Sequence, residues 1–224
     1  KIIKAAHQNG SLVMLDAAQS APHQSINVRG LDVDFLAFSM HKLLGPSGMG
    51  VLYGKYKLLE QLEPFLTGGD TVAQTTYDSA EFLPPPEKFE AGLQDYAGIM
   101  GSGEAVRYLK SVGFNEIQKA ETQLNLQLTE GLKTIPRVKI IGPADARMRG
   151  GICTFTIDGV DSHRVALMLD QMANIQVRSG QHCVHSWFNA HNIYGSVRAS
   201  MYFYNTPEDI KALLDNLQKI LRIL

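Results

Sequence analysis

Three side chains in this sequence carry chemistry that composition alone does not explain: Asp16, Lys42 and Cys183. Lys42 lies in "FSMHKLLGPSGMG", residues 38–50, between an apolar run and a glycine-rich turn. A lone lysine there reads as a solvated loop charge, so a chemical role needs a second residue. Asp16 supplies one. It follows the four apolar residues Leu12 to Leu15, as Lys42 follows the apolar run "DFLAFS". Short uninterrupted apolar runs closed by turn residues read as strands covered on both faces, as in a parallel sheet. Ligands in open α/β sheets collect beyond the carboxyl ends of such strands, which is where both groups fall.

An amine beyond one strand and a carboxylate beyond the next match the needs of pyridoxal phosphate. The amine forms a Schiff base with the aldehyde, and the carboxylate keeps the pyridine nitrogen protonated so that the ring accepts electrons. Cys183 adds a thiol among Arg178, His182 and His185. Positive neighbours favour the thiolate, the nucleophilic form. A metal site is the rival reading, since His182, Cys183, His185 and His191 are all borderline ligands. Their spacing fits no paired zinc template, and no metal is expected. Cys153 lies between apolar residues in "GICTFTID" and reads as a small core hydrophobe. His7 and His23 read as surface residues.

The elements that must position these groups follow from periodicity. "MGVLYG" reads as a third strand and "YKLLEQLEPFL" as a short helix and turn. Residues 68–92 read as a long loop, of the kind that is often functional. Helices are predicted over 97–111 and 114–135, with Ile117, Ala120, Leu124, Leu128, Leu132 and Ile135 on one face of the second. Strands follow at "VKIIG", "GICTFTID", "IQVRSG" and "SVRASMYFY", with a helix at "DSHRVALMLDQM". The last helix is marked by a Thr206 cap, Pro207 at its first position, and Glu208 and Asp209 at the positive end of its dipole. The fold class is α/β: the end of a mostly parallel sheet sandwiched by helices in a large domain, residues 1–110, then a smaller α+β domain, residues 111–224, carrying the cysteine.

Four stretches carry a family resemblance: "DAAQS" with "DFLAFSMHKLLGPSGMGVLY", "FEAG", "VRSGQHC" and "VRASMYFYNT". In this order they resemble the fold-type I, class V aminotransferase-like pyridoxal phosphate enzymes. More narrowly, the chain is similar to the SufS-type (class II) cysteine desulfurases and selenocysteine lyases. The resemblance implies Lys42 as the Schiff-base lysine, Asp16 on the pyridinium nitrogen and Gln19 on the phenolic oxygen. It implies Ser39 and His41 on the phosphate, Arg198 clamping the substrate carboxylate and Arg178 lining the site. Cys183 would take sulfur from L-cysteine, or act on L-selenocysteine, leaving alanine and a persulfide. The short, arginine-led "RSGQHC" is the class II form. It implies a rigidly held cysteine, a separate sulfur-acceptor protein, supply to iron–sulfur cluster assembly, and a homodimer whose "FEAG" loop reaches the neighbouring site. Where the family has a threonine after "FEAG", this chain has Leu93.

Composition bounds the reading further. The chain has 224 residues, 45% hydrophobic and 19% charged, with formal net charge -1. It lacks the basic footprint of a nucleic-acid binder and a polybasic membrane patch. No apolar run approaches the roughly 20 residues that span a bilayer. Two cysteines make no disulfide framework, so a reducing, cytoplasmic setting is expected. The opening "KIIKAAHQNG" reads as the last turns of a helix, and an N-terminal portion of a longer protein is expected to be missing. The stretch alone is then expected to bind pyridoxal phosphate poorly and to turn over little. Two other readings stand beside this one. One is a different fold-type I enzyme, an aminotransferase or epimerase; the other is a non-catalytic truncated polypeptide that docks on sulfur-transfer partners.

Overall fold

A computed structural model describes residues 1–224. They divide into two compact units, Lys1–Val112 and Gly113–Leu224.

The first unit runs α1 (Ile2–Gln8), β1 (Met14–Asp16), α2 (Val28–Leu31), β2 (Phe35–Ser39), β3 (Gly50–Gly54), α3 (Tyr56–Gln61), β4 (Val72–Thr75), β5 (Ala80–Phe82) and α4 (Tyr96–Val112). Strands β1 and β2 pair in parallel, with Asp16 opposite Ala37. Strand β3 closes the three-stranded sheet antiparallel to β2, from Phe35 opposite Gly54 to Ser39 opposite Gly50. The expectation of a mostly parallel sheet is therefore corrected here to a mixed one. Segment 40–49 is too short for the crossover of about a dozen residues that a parallel return requires. Of the two strands expected to be covered on both faces, β2 has no exposed residue, whereas Met14 of β1 is 59% exposed.

The expected loop over 68–92 contains an antiparallel hairpin, β4 with β5. Its turn is held by the Thr76 and Ser79 hydroxyls, 2.8 Å apart. Side chains of both strands are largely exposed, so no hydrophobic alternation announced them.

A buried carboxylate ties this unit's elements together. Asp34, 3% exposed, meets His7 Nε2 and Lys55 Nζ, each at 2.8 Å, and accepts from the Val13 amide at 2.7 Å. Lys55 Nζ and His7 Nδ1 also reach Asp32, at 2.7 and 3.4 Å. His7 is thus a clamp on α1 rather than a surface residue, and α1 itself buries no side chain. His23 is likewise half-buried.

The second unit runs α5 (Phe114–Lys133), β6 (Val138–Ile141), β7 (Ile152–Ile157), α6 (Ser162–Ala173), β8 (Arg178–Gly180), α7 (His185–Ala190), β9 (Ser196–Ser200) and α8 (Pro207–Leu221). Its sheet, in the order β6-β7-β9-β8, is antiparallel throughout. Alternation in β7 sends Cys153, Phe155 and Ile157 into the core. There they meet Leu124, Leu128 and Leu132 of α5, Val165 and Leu169 of α6, and Leu213 and Leu217 of α8. Gly131 marks the tightest helix contact, because a Cβ there would lie 2.2 Å from a Leu214 methyl. Helix α8 begins with a capping box in which Thr206 and Asp209 satisfy each other's backbone amides. The predicted strands 175–180 and 196–204 are shorter than expected, at 178–180 and 196–200.

Helix α5 also buries a polar row, Glu121, Asn125 and Thr129, each at most 1% exposed. Asn125 donates to the Gly150 and Ile152 carbonyls at 2.5 and 3.0 Å, and Arg149 donates to the Thr129 hydroxyl. These bonds fasten the turn before β7 to the helix.

The Asp34 cluster generates an acid-dependent prediction. Burial alone would push this carboxyl up, but hydrogen bonds from Lys55, His7 and the Val13 amide outweigh it and hold it well below the usual carboxylate range. A depressed carboxylate contributes stability that is complete above its unfolded pKa of about 3.9 and fades as pH falls toward its folded value. Asp34→Asn should cost about 2 kcal/mol at neutral pH, read by urea unfolding. The difference from wild type should shrink steadily below about pH 4; a constant difference down to the acid limit would contradict the assignment.

Candidate active-site residues

In the first unit, the predicted residues cluster where β1 and β2 end. Asp16 is the last residue of β1 and Ser39 the last of β2. Register sets Asp16 opposite Ala37, so Ser39 lies two residues further along the neighbouring strand, on the same face of the sheet as Ala37. The Ala17 amide extends the pairing to the Ala37 carbonyl at 2.8 Å. Asp16 Oδ1 accepts from the Ala18 amide at 2.9 Å, which orients the carboxylate at the turn. Gln19 follows in the same turn and is exposed.

After Ser39 the chain makes one 3-10 turn, Met40–Leu43, ended by Leu44 in the left-handed region at φ 60°. A 3-10 turn repeats every third residue. Met40 and Leu43 are therefore both buried, while His41 is exposed and Lys42 half-buried. Gly45 lets the chain double back, since a Cβ there would lie 3.0 Å from both the Met40 carbonyl and Met40 Cβ. The Met40 amide donates to Met49 O at 2.9 Å and completes the hairpin into β3. A carboxylate, an amine, a hydroxyl and an imidazole thus share one end of two adjacent strands. That donor set fits pyridoxal phosphate: Asp16 suits the ring nitrogen, Gln19 the phenolic oxygen, Ser39 and His41 the phosphate, and Lys42 the aldehyde. Leu93, beyond the "FEAG" segment, is 85% exposed and offers no hydroxyl.

In the second unit, Arg178, Cys183 and Arg198 come together. Arg178 and Arg198 stand directly opposite on β8 and β9. Cys183 is exposed and its Sγ accepts from Arg178 Nη2 at 3.2 Å. Arg198 Nε is buried with no hydrogen-bond partner. Burial first, then the like charge of Arg178, lowers the Arg198 pKa, while Cys183 opposes them. Two arginines at paired positions, one with an orphaned N–H, suit a carboxylate ligand.

The segment between β8 and α7 holds Cys183 tightly. His182 and Cys183 both adopt positive φ, at 53° and 64°. His182 Nε2 lies 2.8 Å from the hydroxyl of Ser196, which is fully buried. Ser196 is a contributor that residue spacing did not single out; His182 was visible beside the thiol, but nothing marked its serine partner. The histidines of the metal reading have other partners. His191 stacks on Trp187 at 4.1 Å and its Nδ1 meets the Trp187 carbonyl at 2.8 Å. No three His, Cys, Asp or Glu side chains converge as a metal site would require. A groove of about 750 Å3 in this unit is lined by Lys139, Thr156, Asp158, His163 and Tyr194, and none of the predicted site residues borders it. No helix is long and apolar enough to cross a membrane.

Comparison with known proteins places the chain. Residues 1–213 match the family described as "Aminotransferase class-V". A protein of Streptomyces coelicolor named "Probable cysteine desulfurase" is 40% identical over 98% of this chain and 52% of its own length. A Synechocystis protein of the same name is 40% identical over 99% of the chain and 53% of its own. Among solved structures, the apo cysteine desulfurase of Thermococcus onnurineus superposes with a TM-score of 0.94 at 37% identity, over 99% of this chain and 55% of that one. The cysteine desulfurase CsdA of Escherichia coli gives 0.93 at 34% identity, over 99% and 54%. The chain therefore spans about half the length of the curated relatives it matches.

The contrast between the two thiols is testable. Cys153 is fully buried, and burial, partly offset by Arg149, pushes its thiol up to about 11. Iodoacetamide at neutral pH should label one cysteine of the native chain, mapped by peptide mass to Cys183, and both after denaturation. Labelling of Cys153 in the native protein would show that the core cysteine is accessible.

Proposed function

The chain belongs to the aminotransferase class-V family, and we propose that it serves a pyridoxal phosphate-dependent cysteine desulfurase of the SufS type. The substrate is L-cysteine, and L-selenocysteine is a second substrate of the same site. The observation that carries this reading is the Cys183 sulfur hydrogen-bonded by Arg178 at 3.2 Å, with Arg178 in register with Arg198. Aminotransferase or epimerase chemistry would use Asp16 and Lys42 but has no use for that thiol.

Pyridoxal phosphate, when bound, supplies a ring that accepts the electrons released at the substrate carbon. The chain's own residues do the rest. Ser39 and His41 would grip the phosphate, Gln19 would bond the phenolic oxygen, and Asp16 would keep a proton on the ring nitrogen. Lys42 Nζ would stand at the aldehyde and move the proton at the substrate's Cα. Arg198 would hold the substrate carboxylate through its guanidinium fork. Cys183 Sγ would attack the substrate sulfur; an S–S bond forms as the C–S bond breaks, the C–S electron pair passes to Cβ, which takes up a proton, and a persulfide stays on Cys183 as alanine is released.

The class II assignment is supported by the few residues between β8 and α7, which leave Cys183 no long loop on which to travel. A thiol held in place needs its acceptor brought to it, so the persulfide goes to a separate acceptor protein, in the cytoplasm and toward iron–sulfur cluster assembly. The working enzyme is a homodimer in which the "FEAG" segment serves the neighbouring site.

With pyridoxal phosphate and L-cysteine supplied to the natural full-length enzyme, alanine release and a one-sulfur mass gain on the Cys183 peptide are expected. Lys42→Ala should lower alanine formation by at least about a hundredfold and remove the visible absorption of the bound cofactor. Cys183→Ser should remove the mass gain. Desulfuration of cysteine undiminished in Cys183→Ser, or transamination of a keto acid in its place, would overturn the proposal.

A further inference from the structure

The backbone that carries Cys183 is unusual. His182 and Cys183 occupy the left-handed region consecutively, and Gly180 before them stands at φ 103°. Side chains of L-residues disfavour that region, so something must hold the pair there. The turn is closed by the Val184 amide, which donates to the Gln181 carbonyl at 2.9 Å, and the side-chain contacts that anchor it to the sheet belong to His182. Its Nε2 lies 2.8 Å from Ser196 Oγ on β9, and that hydroxyl donates to the Gly180 carbonyl at 3.5 Å. Ser196 is fully buried, and Phe188 of α7 meets the imidazole edge-on at 5.9 Å. Burial, then Arg198 and Arg178, lowers the His182 pKa. The imidazole Nδ1 is buried without a hydrogen-bond partner, so the contact of Nε2 with Ser196 is the ring's one side-chain hydrogen bond.

We propose that His182 is the positioning residue of Cys183: through Nε2 and the Ser196 hydroxyl it fixes the left-handed turn that brings the thiol to the Arg178 guanidinium. This rests on the reading of Cys183 as the nucleophile. The role of His182 is indirect, since what it supplies is the geometry in which Arg178 reaches the sulfur.

The two amide replacements separate this role from simple backbone tolerance. Asparagine accepts the left-handed region more readily than most residues, but its amide stops short of the Nε2 position. Glutamine reaches that position without easing the backbone. If the hydrogen bond positions the thiol, glutamine rescues and asparagine does not.

The measurement is the alkylation rate of Cys183 by iodoacetamide at fixed neutral pH, with melting temperature monitored alongside. His182→Ala and Ser196→Ala should each slow alkylation about tenfold, the equivalent of one lost hydrogen bond. Arg178→Ala should slow the wild-type background about tenfold but the His182→Ala background less than about twofold, because the thiol has already left the guanidinium. His182→Gln should recover to within about threefold of wild type, and His182→Asn should not. Should His182→Ala fail to fold, the Gln, Asn and Ser196→Ala arms decide the matter. Additive effects of Arg178→Ala and His182→Ala would overturn the proposal, as would rescue by asparagine with none by glutamine. Alkylation needs neither cofactor nor cysteine, so positioning is read even in a chain that desulfurates nothing. Conversely, intact coupling without persulfide formation would sink the proposed activity alone.

Discussion

Two arginines at paired positions on neighbouring strands bring like charges to bear on each other, and the thiol of the second unit sits beside one of them. Arg178 and Arg198 occupy paired positions on β8 and β9, where like charges weaken a sheet. The Cys183 sulfur meets one of them, and an unsatisfied N–H remains on the other. The core cluster that includes Phe155, Val197, Leu169 and Leu217 contains neither arginine. The cost of the pairing makes sense when an anion arrives to share it.

The first unit achieves its placement by a different route. The turn after β2 is defined by burial of Met40 and Leu43, three residues apart, with Gly45 admitting the return of the chain. Lys42 lies between the exposed His41 and the buried Leu43 and is itself half-buried. The parallel pairing of β1 with β2 then sets Asp16 at the same end. An amine and a carboxylate are thus placed at one end of the sheet, the carboxylate oriented by the Ala18 amide.

Much of this was legible in the residues, and the exceptions share physical causes. The apolar stripes of α5 and α8 and the alternation of β7 were plain, because each faces one core. The β4–β5 hairpin was missed because its strands are exposed and carry no alternation. The direction of β3 was misread because an apolar run specifies a buried strand without specifying which way it runs. The two-sided covering expected for β1 and β2 holds for β2 but not for β1, whose Met14 faces solvent. On α5, the buried Glu121, Asn125 and Thr129 went unnoticed, since a polar row is silent about whether water or backbone carbonyls satisfy it. His7 went unrecognised for a similar reason. Its carboxylate partners, Asp32 and Asp34, lie far along the chain. At the candidate site, Lys42, Asp16 and Cys183 stood out through local context. The Ser196 tie to His182 depends on strand register, which sequence spacing does not encode.

The sealed environment of Cys153 sets the two thiols apart. The helices and sheet of its own unit wall it in, and burial resists its ionisation. An electrophile arriving from solvent therefore meets a single thiol on the native surface, that of Cys183, and any thiol oxidation or alkylation of this unit has one address.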